Sequence, residues 1–426
     1  MGSKANQKTS ITFHSGLMTI GGTVIEVAYG DDRIFFDFGT EYHPEINLPN
    51  EELPTLLDVG FIPAIDIYDP RLTTQKQETK FKNTAVFLSH VHLDHTKMIN
   101  YLDPKIPLYT LEPTKDLLES LNRNGTFLLP SPYIEGNTRM IKTIAPDQDI
   151  HIGEITIRLF PVDHDAYGAA AFLIETPTAL IAYSGDLRLH GFDRHLTEEF
   201  CEAAQKVDVL MLEGVSISFP EKEKKHVTSL DSERGLTEQL VKLIQENENR
   251  QLTFNFYPAN IKRWEALIDA SPRQVVVEAE MALLLQKVAK REVPYYYAEK
   301  KERIDTLDPQ LEYSYDTLLA DSTDYFWQFV GKVDSLQKGG LYIHSDAQPL
   351  GEFDPQYAIF RASFEKQQVE FKQLSLSGHA KPADLAEIID RIKPAMLVPI
   401  HTLKPESMHN PYGSRVLVQR GETIQL

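Results

Sequence analysis

The chain has 426 residues, 43 Lys and Arg against 62 Asp and Glu, and a formal net charge of −19. That balance excludes broad, nonspecific affinity for nucleic acid, which needs basic surface; a nuclease stays open, because divalent cations and a local basic patch can build a positive cleft in an acidic protein. Hydrophobic residues at 42% and charged residues at 25% are ordinary globular material, and the length calls for two domains or one domain with a large insertion.

The stretch Met1–Ser10 is polar, with no apolar core of a signal peptide, and Met1–Asn6 begins like a myristoylation site but lacks Ser or Thr at position six. No uncharged apolar run reaches the roughly 18 residues of a membrane span. Cys201 is the single cysteine, so an intrachain disulfide is excluded, metal ligands must be nitrogen and oxygen, and a reducing, cytoplasmic setting is expected.

Gly22–Tyr29 and Arg33–Asp37 read as strands joined by a hairpin turn at Gly30-Asp31-Asp32. Asp37 closes the second strand, where a carboxylate serves either as a helix cap or as outer support for a metal loop. Residues 40–80 carry several prolines and read as an irregular excursion. Ala85–Leu88 is a short apolar run that predicts a buried strand, and Thr96–Leu102 predicts a helix start. Between them stands Ser89-His90-Val91-His92-Leu93-Asp94-His95. His90 and His92 are two positions apart, so extended backbone points both imidazoles the same way and both can reach one metal. Asp94 and His95 lie past the turn and aim at a second position nearby. Neutral imidazole and carboxylate suit Zn²⁺ and also Mn²⁺.

Farther on, Glu154–Phe160 alternates as a half-buried strand and leads into Pro161-Val162-Asp163-His164-Asp165. Ala170–Glu175 and Leu180–Tyr183 read as strands, the latter ending in Ser184-Gly185-Asp186. Val207–Glu213 is a further buried strand ending in a carboxylate. Glu221–Lys225 is a charge run expected to be a solvated loop. From about 230 to 330 helices and short strands alternate, with Asn260 placed to cap a helix over 261–270. Tyr325, Phe326, Trp327 and Phe329 read as core rather than as a base-stacking platform, and Tyr295-Tyr296-Tyr297 is open between the two. Leu341–Asp346 reads as strand and turn. Phe371–Leu376 then alternates, Ser377-Gly378-His379 follows, a helix opens near Pro382, and Ala395–Ile400 delivers His401. Read together, 371–401 predicts a βαβ-like unit with His379 and His401 at one sheet edge.

This set resembles the metallo-β-lactamase fold and, more narrowly, the β-CASP nucleases of the ribonuclease J type. Asp37 matches the fold's first motif; His90, His92, Asp94 and His95 its second; His164 the third; Asp186 the fourth. Glu213, His379 and His401 match the three motifs of the β-CASP branch, and Ala259–Arg263 looks like a segment of that branch's insert. The resemblance implies an α/β fold: an αββα sandwich from residues 1–215 and 366–426, interrupted by an inserted α/β β-CASP domain over 216–365. It implies two divalent metals, Zn²⁺ first with Mn²⁺ open. His90, His92 and His164 would hold one, Asp94, His95 and His401 the other, with Asp186 bridging.

The activity implied is metal-dependent phosphodiester hydrolysis, with single-stranded RNA ahead of DNA as the nucleic-acid partner and a metal-activated hydroxide as nucleophile. Asp94, His379, Glu213 and Asp37 form the expected catalytic set: His379 protonates the leaving oxygen, and Glu213 orients it. Ser377, the amides after Gly378, Lys381, Arg263 and Ser345 are the expected phosphate or substrate contacts. Two departures stand out. The chain after His401 leaves no room for the usual C-terminal domain, and Ser345–Glu352 matches the Gly-Ser-Gln-Gly-Glu-Pro-like stretch of ribonuclease J only loosely, which leaves endo- or exonuclease action open. The competing reading is another hydrolase of this fold, acting on DNA or on a small ester or cyclic phosphodiester. A non-catalytic scaffold is disfavoured because every expected ligand position is filled.

Overall fold

The computed structural model describes residues 7–41, 46, 48–73, 79–219, 230–298, 303–352 and 354–426. The charge run Glu221–Lys225 and the stretch Met1–Asn6 lie outside them. The described residues divide into two compact units: one within 1–189, 193–227 and 378–426, the other within 190–192 and 228–377. Among the described residues no helix is long and apolar enough to cross a membrane.

The first unit holds two seven-stranded sheets. In spatial order the first runs Thr423–Gln425, Thr9–Ser15, Val24–Tyr29, Asp32–Phe36, Asn83–Phe87, Leu108–Leu111, Lys142–Ile144. The second runs Ser414–Arg415, Met396–Ile400, Val209–Glu213, Ala179–Tyr183, Ala170–Thr176, Ile155–Pro161, Asp149–Ile152. One apolar core joins them: Phe36 and Phe87 of the first sheet share it with Phe172, Tyr183, Met211 and Val398 of the second. The Phe36 and Phe172 rings lie 5.0 Å apart. Each such ring, fully buried, contributes about 1.5–3 kcal/mol of transfer free energy, so the sheets cannot slide past each other cheaply. Helices Arg194–Ala203 and Pro382–Ile392 cover the other face of the second sheet through Phe200, Cys201, Leu385 and Ile389. This mixed α/β sandwich is the fold class that the sequence implies.

Strand direction then decides where chemistry can be presented. Ala179–Tyr183, Val209–Glu213 and Met396–Ile400 are adjacent and parallel, so their C-terminal ends share one edge. That edge receives Asp186, Glu213 and His401. Ile155–Pro161 is antiparallel to Ala170–Thr176, which is antiparallel to Ala179–Tyr183. The two reversals bring its C-terminal end, and His164 just beyond, to the same edge. In the first sheet Asp32–Phe36 and Asn83–Phe87 are also parallel, and their ends deliver Asp37 and the loop Ser89–His95.

The second unit is built on a six-stranded sheet in the order Tyr295–Tyr296, Gln274–Glu278, Tyr325–Gln328, Leu252–Phe256, Leu341–Ser345, Glu370–Gln373. All five strand pairings within it are parallel. Trp327 and Phe329 are buried in its core with Tyr342 and Phe364, so the aromatic stripe is strand-borne core. Tyr295 and Tyr296 are likewise buried. Asn260 caps helix Ile261–Ala270 by accepting from the Arg263 amide at 3.2 Å.

One expectation needs correction. The stretch 371–401 is not a single βαβ unit. Glu370–Gln373 pairs with Leu341–Ser345 in the second unit's sheet, whereas Met396–Ile400 lies beside Val209–Glu213 in the first. Both runs read as strands locally, but sheet membership is set by partners far away in sequence.

Candidate metal centre

The loop Ser89–His95 is held from below. Asp37 accepts from the Ser89 amide at 2.7 Å, from Ser89 Oγ at 2.9 Å and from His95 Nδ1 at 2.8 Å, and it also accepts from the Tyr183 hydroxyl. Asp37 is fully buried and sits in the left-handed backbone region, φ +59°. Its amide donates to Phe87 O at 2.9 Å, which pins that conformation. Glycines make the space above. A Cβ on Gly39 would lie 1.8 Å from the Asp94 carbonyl oxygen, and one on Gly21 would lie 2.4 Å from Asp94 Cβ.

These contacts choose ring tautomers. A carboxylate or a carbonyl oxygen only accepts, so His95 Nδ1 donates to Asp37, and His164 Nδ1 donates to Gly378 O at 2.6 Å. Ser89 Oγ spends its proton on Asp37 and so accepts from His90 Nδ1 at 2.9 Å. In the neutral form all three rings then turn an Nε2 lone pair inward, the state a metal requires.

Two groups of ligand-type atoms result: His90, His92, His164 and Asp186, and Asp94, His95, Asp186 and His401, with the atoms of each group lying within 4.8 Å of one another. Asp186 belongs to both. Within the first, His164 Nε2 is 3.3 Å from His92 Nδ1, and His90 Nε2 is 3.5 Å from Asp186 Oδ2. Within the second, His95 Nε2 is 3.3 Å from Asp186 Oδ2 and His401 Nε2 is 3.2 Å from Asp94 Oδ2. His401, also left-handed at φ +50°, donates from Nδ1 to Asp186 Oδ1 at 2.9 Å.

The donor set fits divalent cations. His90 Nε2, His95 Nε2, His401 Nε2 and Asp186 Oδ2 are buried atoms without a hydrogen-bond partner among the described residues. Unpaired buried polar atoms are costly singly, and here they converge. The protonation balance agrees. Burial pushes His164 down to about 3 and holds His90 well below its usual value, so both are neutral. Burial opposes charge on His401 too, but Asp186 and Asp94 outweigh it and lift it to about 10. Asp186, Asp94 and Asp37 likewise raise His95 against its burial. Without an ion, protons on His95 and His401 supply the positive charge that the carboxylates demand.

His379 stands beside both groups, with Nδ1 3.7 Å from Asp186 Oδ2 and 3.5 Å from Glu213 Oε1. Burial works against its charged form; Glu213 and Asp186 prevail and raise its pKa. Glu213 is fully buried and anchored, accepting from the Val215 amide at 2.9 Å and the Ala380 amide at 3.3 Å. The His379 and His401 ring centroids are 5.7 Å apart despite the failed βαβ expectation.

The expected substrate contacts scatter. Gly378 is buried and its carbonyl is spent on His164. Ser377 is exposed, and its carbonyl accepts from His190 Nε2 at 2.9 Å. Lys381 is half-buried at the start of helix Pro382–Ile392. Arg263 and Ser345 belong to the second unit and are fully buried. Arg263 gives its guanidinium to Glu233 at 2.8 and 2.9 Å, to Asp346 at 2.6 Å and to Ser345 Oγ at 2.9 Å. With those donors committed internally, it braces the fold in place of meeting a phosphate. Sequence reasoning passed over Asp165, Tyr183 and Arg188. Asp165 had a signal, as a second carboxylate flanking His164; Tyr183 had none beyond ending a strand.

Comparison with known proteins agrees with this geometry. Residues 63–254 match the beta-lactamase superfamily domain. Ribonuclease J of Thermus thermophilus is 25% identical over 310 residues, covering 69% of this chain and 48% of that protein. A probable 3′,5′-cyclic-nucleotide phosphodiesterase of Yersinia pestis is 26% identical over 179 residues, covering 38% of this chain and 52% of that one. The chain thus spans about half the length of each of these two curated relatives. A crystal structure of a protein of unknown function from Enterococcus faecalis V583 superposes with a TM-score of 0.95 at 56% identity, over 98% of this chain and all of the other. Fold and motif placement, together with these similarities, support a metallo-β-lactamase fold of the ribonuclease J-like branch.

Proposed function

We propose that this protein is a metal-dependent phosphodiester hydrolase of the β-CASP nuclease type, acting on single-stranded RNA. The observation that carries the reading is one buried carboxylate, Asp186, shared by two ligand groups, with His379 beside it backed by Glu213. His90, His92 and His164 with Asp186 would hold one divalent cation, and Asp94, His95 and His401 with Asp186 the other; Zn²⁺ and Mn²⁺ both suit these ligands. Such a pair supplies Lewis acidity: a water nucleophile available near neutral pH and neutralisation of charge on phosphate oxygens.

The chain's own residues do the rest. Asp37 and Ser89 fix the rings of His95 and His90 before substrate arrives, so no reorganisation is needed at reaction. His92, Asp94 and His379 have side chains 19, 26 and 19% exposed, against 0–1% for His90, His95, Asp186 and His401, so substrate approaches from their side. His379, kept protonated by Glu213, gives a proton to the leaving oxygen, a role typically worth about 10²–10⁴-fold in rate. The test uses labelled single-stranded RNA and DNA and 3′,5′-cyclic nucleotides, with and without chelator. The reading expects chelator-sensitive RNA cleavage that falls in His379→Ala. Cleavage confined to cyclic nucleotides would favour the second reading, for which the Yersinia pestis relative speaks.

A further inference from the structure

We infer that Asp165 is a further ligand in the group of His90, His92, His164 and Asp186, giving that position three imidazoles and two carboxylates. The inference deepens the reading that these groups hold divalent cations, and it rests on that reading.

Asp165 Oδ1 is buried and has no hydrogen-bond partner among the described residues. It lies 3.2 Å from His164 Nε2 and 3.4 Å from His92 Nε2, and neither approach is shaped as a hydrogen bond. The contact with His164 is the informative one. That ring spends its N–H on Gly378 O, so its Nε2 is an acceptor, met at 3.3 Å by His92 Nδ1, and the Asp165 oxygen beside it is a second acceptor. Two acceptors 3.2 Å apart with no proton between them stand as two ligands of one cation would. Atoms each about 2.1 Å from one ion, at tetrahedral to octahedral angles, stand roughly 3.0–3.4 Å from each other. Compare a carboxylate that merely orients a ring: Asp37 takes the His95 N–H directly at 2.8 Å. Asp165 makes no such bond.

The surroundings hold Asp165 in this pose. Arg188 Nε donates to Asp163 Oδ1 at 2.6 Å and an Arg188 Nη donates to His164 O at 3.3 Å, bracing the residues on its N-terminal side. A Cβ on Gly378 would lie 2.4 Å from the Asp165 carboxylate, so the bare glycine makes its room. Five nitrogen and oxygen ligands, two of them hard carboxylates, exceed the four that Zn²⁺ commonly takes and suit Mn²⁺ better.

The test strips the full chain with chelator, adds Mn²⁺ or Zn²⁺ alone, and reads affinity by competition with a chromogenic chelator and stoichiometry by elemental analysis. Asp165→Ala and Asp165→Asn should both weaken one of two Mn²⁺ equivalents about tenfold or more, leave the other within about twofold, and affect Zn²⁺ less. Asn keeps a hydrogen-bond acceptor but loses the charge, so wild-type Mn²⁺ affinity in Asp165→Asn overturns the inference. Independently of any variant, anomalous diffraction from Mn²⁺-loaded wild-type crystals should place Asp165 Oδ1 about 2.2 Å from an ion; a separation beyond about 3 Å overturns it. Wild-type protein that binds neither metal defeats the underlying reading as well, whereas two bound ions indifferent to both variants defeat this inference alone.

Discussion

Each unit of this molecule buries a knot of charged groups, and the two knots are built on opposite plans. In the second unit, Arg263, Glu233, Asp346, Ser345 and Asn260 close on one another: the guanidinium makes hydrogen bonds at 2.6–2.9 Å and Glu233 takes two of them. In the first unit, His90, His95, His401 and Asp186 are bonded on their outer sides and carry unpaired atoms on their inner sides. A closed knot is architecture. A knot braced from outside and unpaired within is a receptacle, since the cost of burying those atoms is recovered only when something occupies the centre. Burial of charge alone does not separate the two; the direction in which satisfaction fails does.

Removing the shared carboxylate strikes hardest. Asp186→Ala should lose both metal equivalents by elemental analysis and reduce RNA hydrolysis to background, because each ligand group loses a member. His379→Ala should keep both ions and lose about 10²–10⁴-fold in turnover, which separates proton delivery from cation holding. Arg263→Ala should do the reverse: destabilise by about 3–5 kcal/mol in denaturant titration, by leaving Glu233 and Asp346 without their partner, while metal content is retained. A paired Arg263→Met, Glu233→Leu change should recover much of that loss; metal loss in either variant would break the contrast between the knots. Asp37→Asn weakens the bracing of His95 and of Ser89, which holds the His90 ring, and should cost about 10–100-fold in metal affinity. The smallest effect is a proton count. His401 stays protonated up to about 10 without an ion, so loading at pH 7 must release that proton, and apparent affinity must rise with pH. Calorimetry in buffers of differing ionisation enthalpy reads the number released.

The sequence made the first knot legible and the second illegible for a physical reason. Crowding of His90, His92, Asp94 and His95 at a strand end is a local pattern, and strand ends of parallel sheets are where side chains converge. His164, Asp186, Glu213 and His401 were readable as further strand-end residues once that loop was recognised. Arg263 was misread because sequence does not tell a buried arginine from an exposed one; its partners Glu233 and Asp346 come from distant positions. The 371–401 unit failed similarly, since its first strand pairs with Leu341–Ser345 in one sheet and its second with Val209–Glu213 in another. Asp165 was passed over because its neighbour His164 already accounted for that strand end.

The central claim is that convergent unpaired atoms in the first unit hold two cations through one shared carboxylate. Anomalous diffraction from metal-loaded crystals of the full chain tests it directly. The account predicts two peaks flanking Asp186, one against His90, His92 and His164 and the other against Asp94, His95 and His401. A single peak that does not touch Asp186, or none at saturating metal, contradicts it.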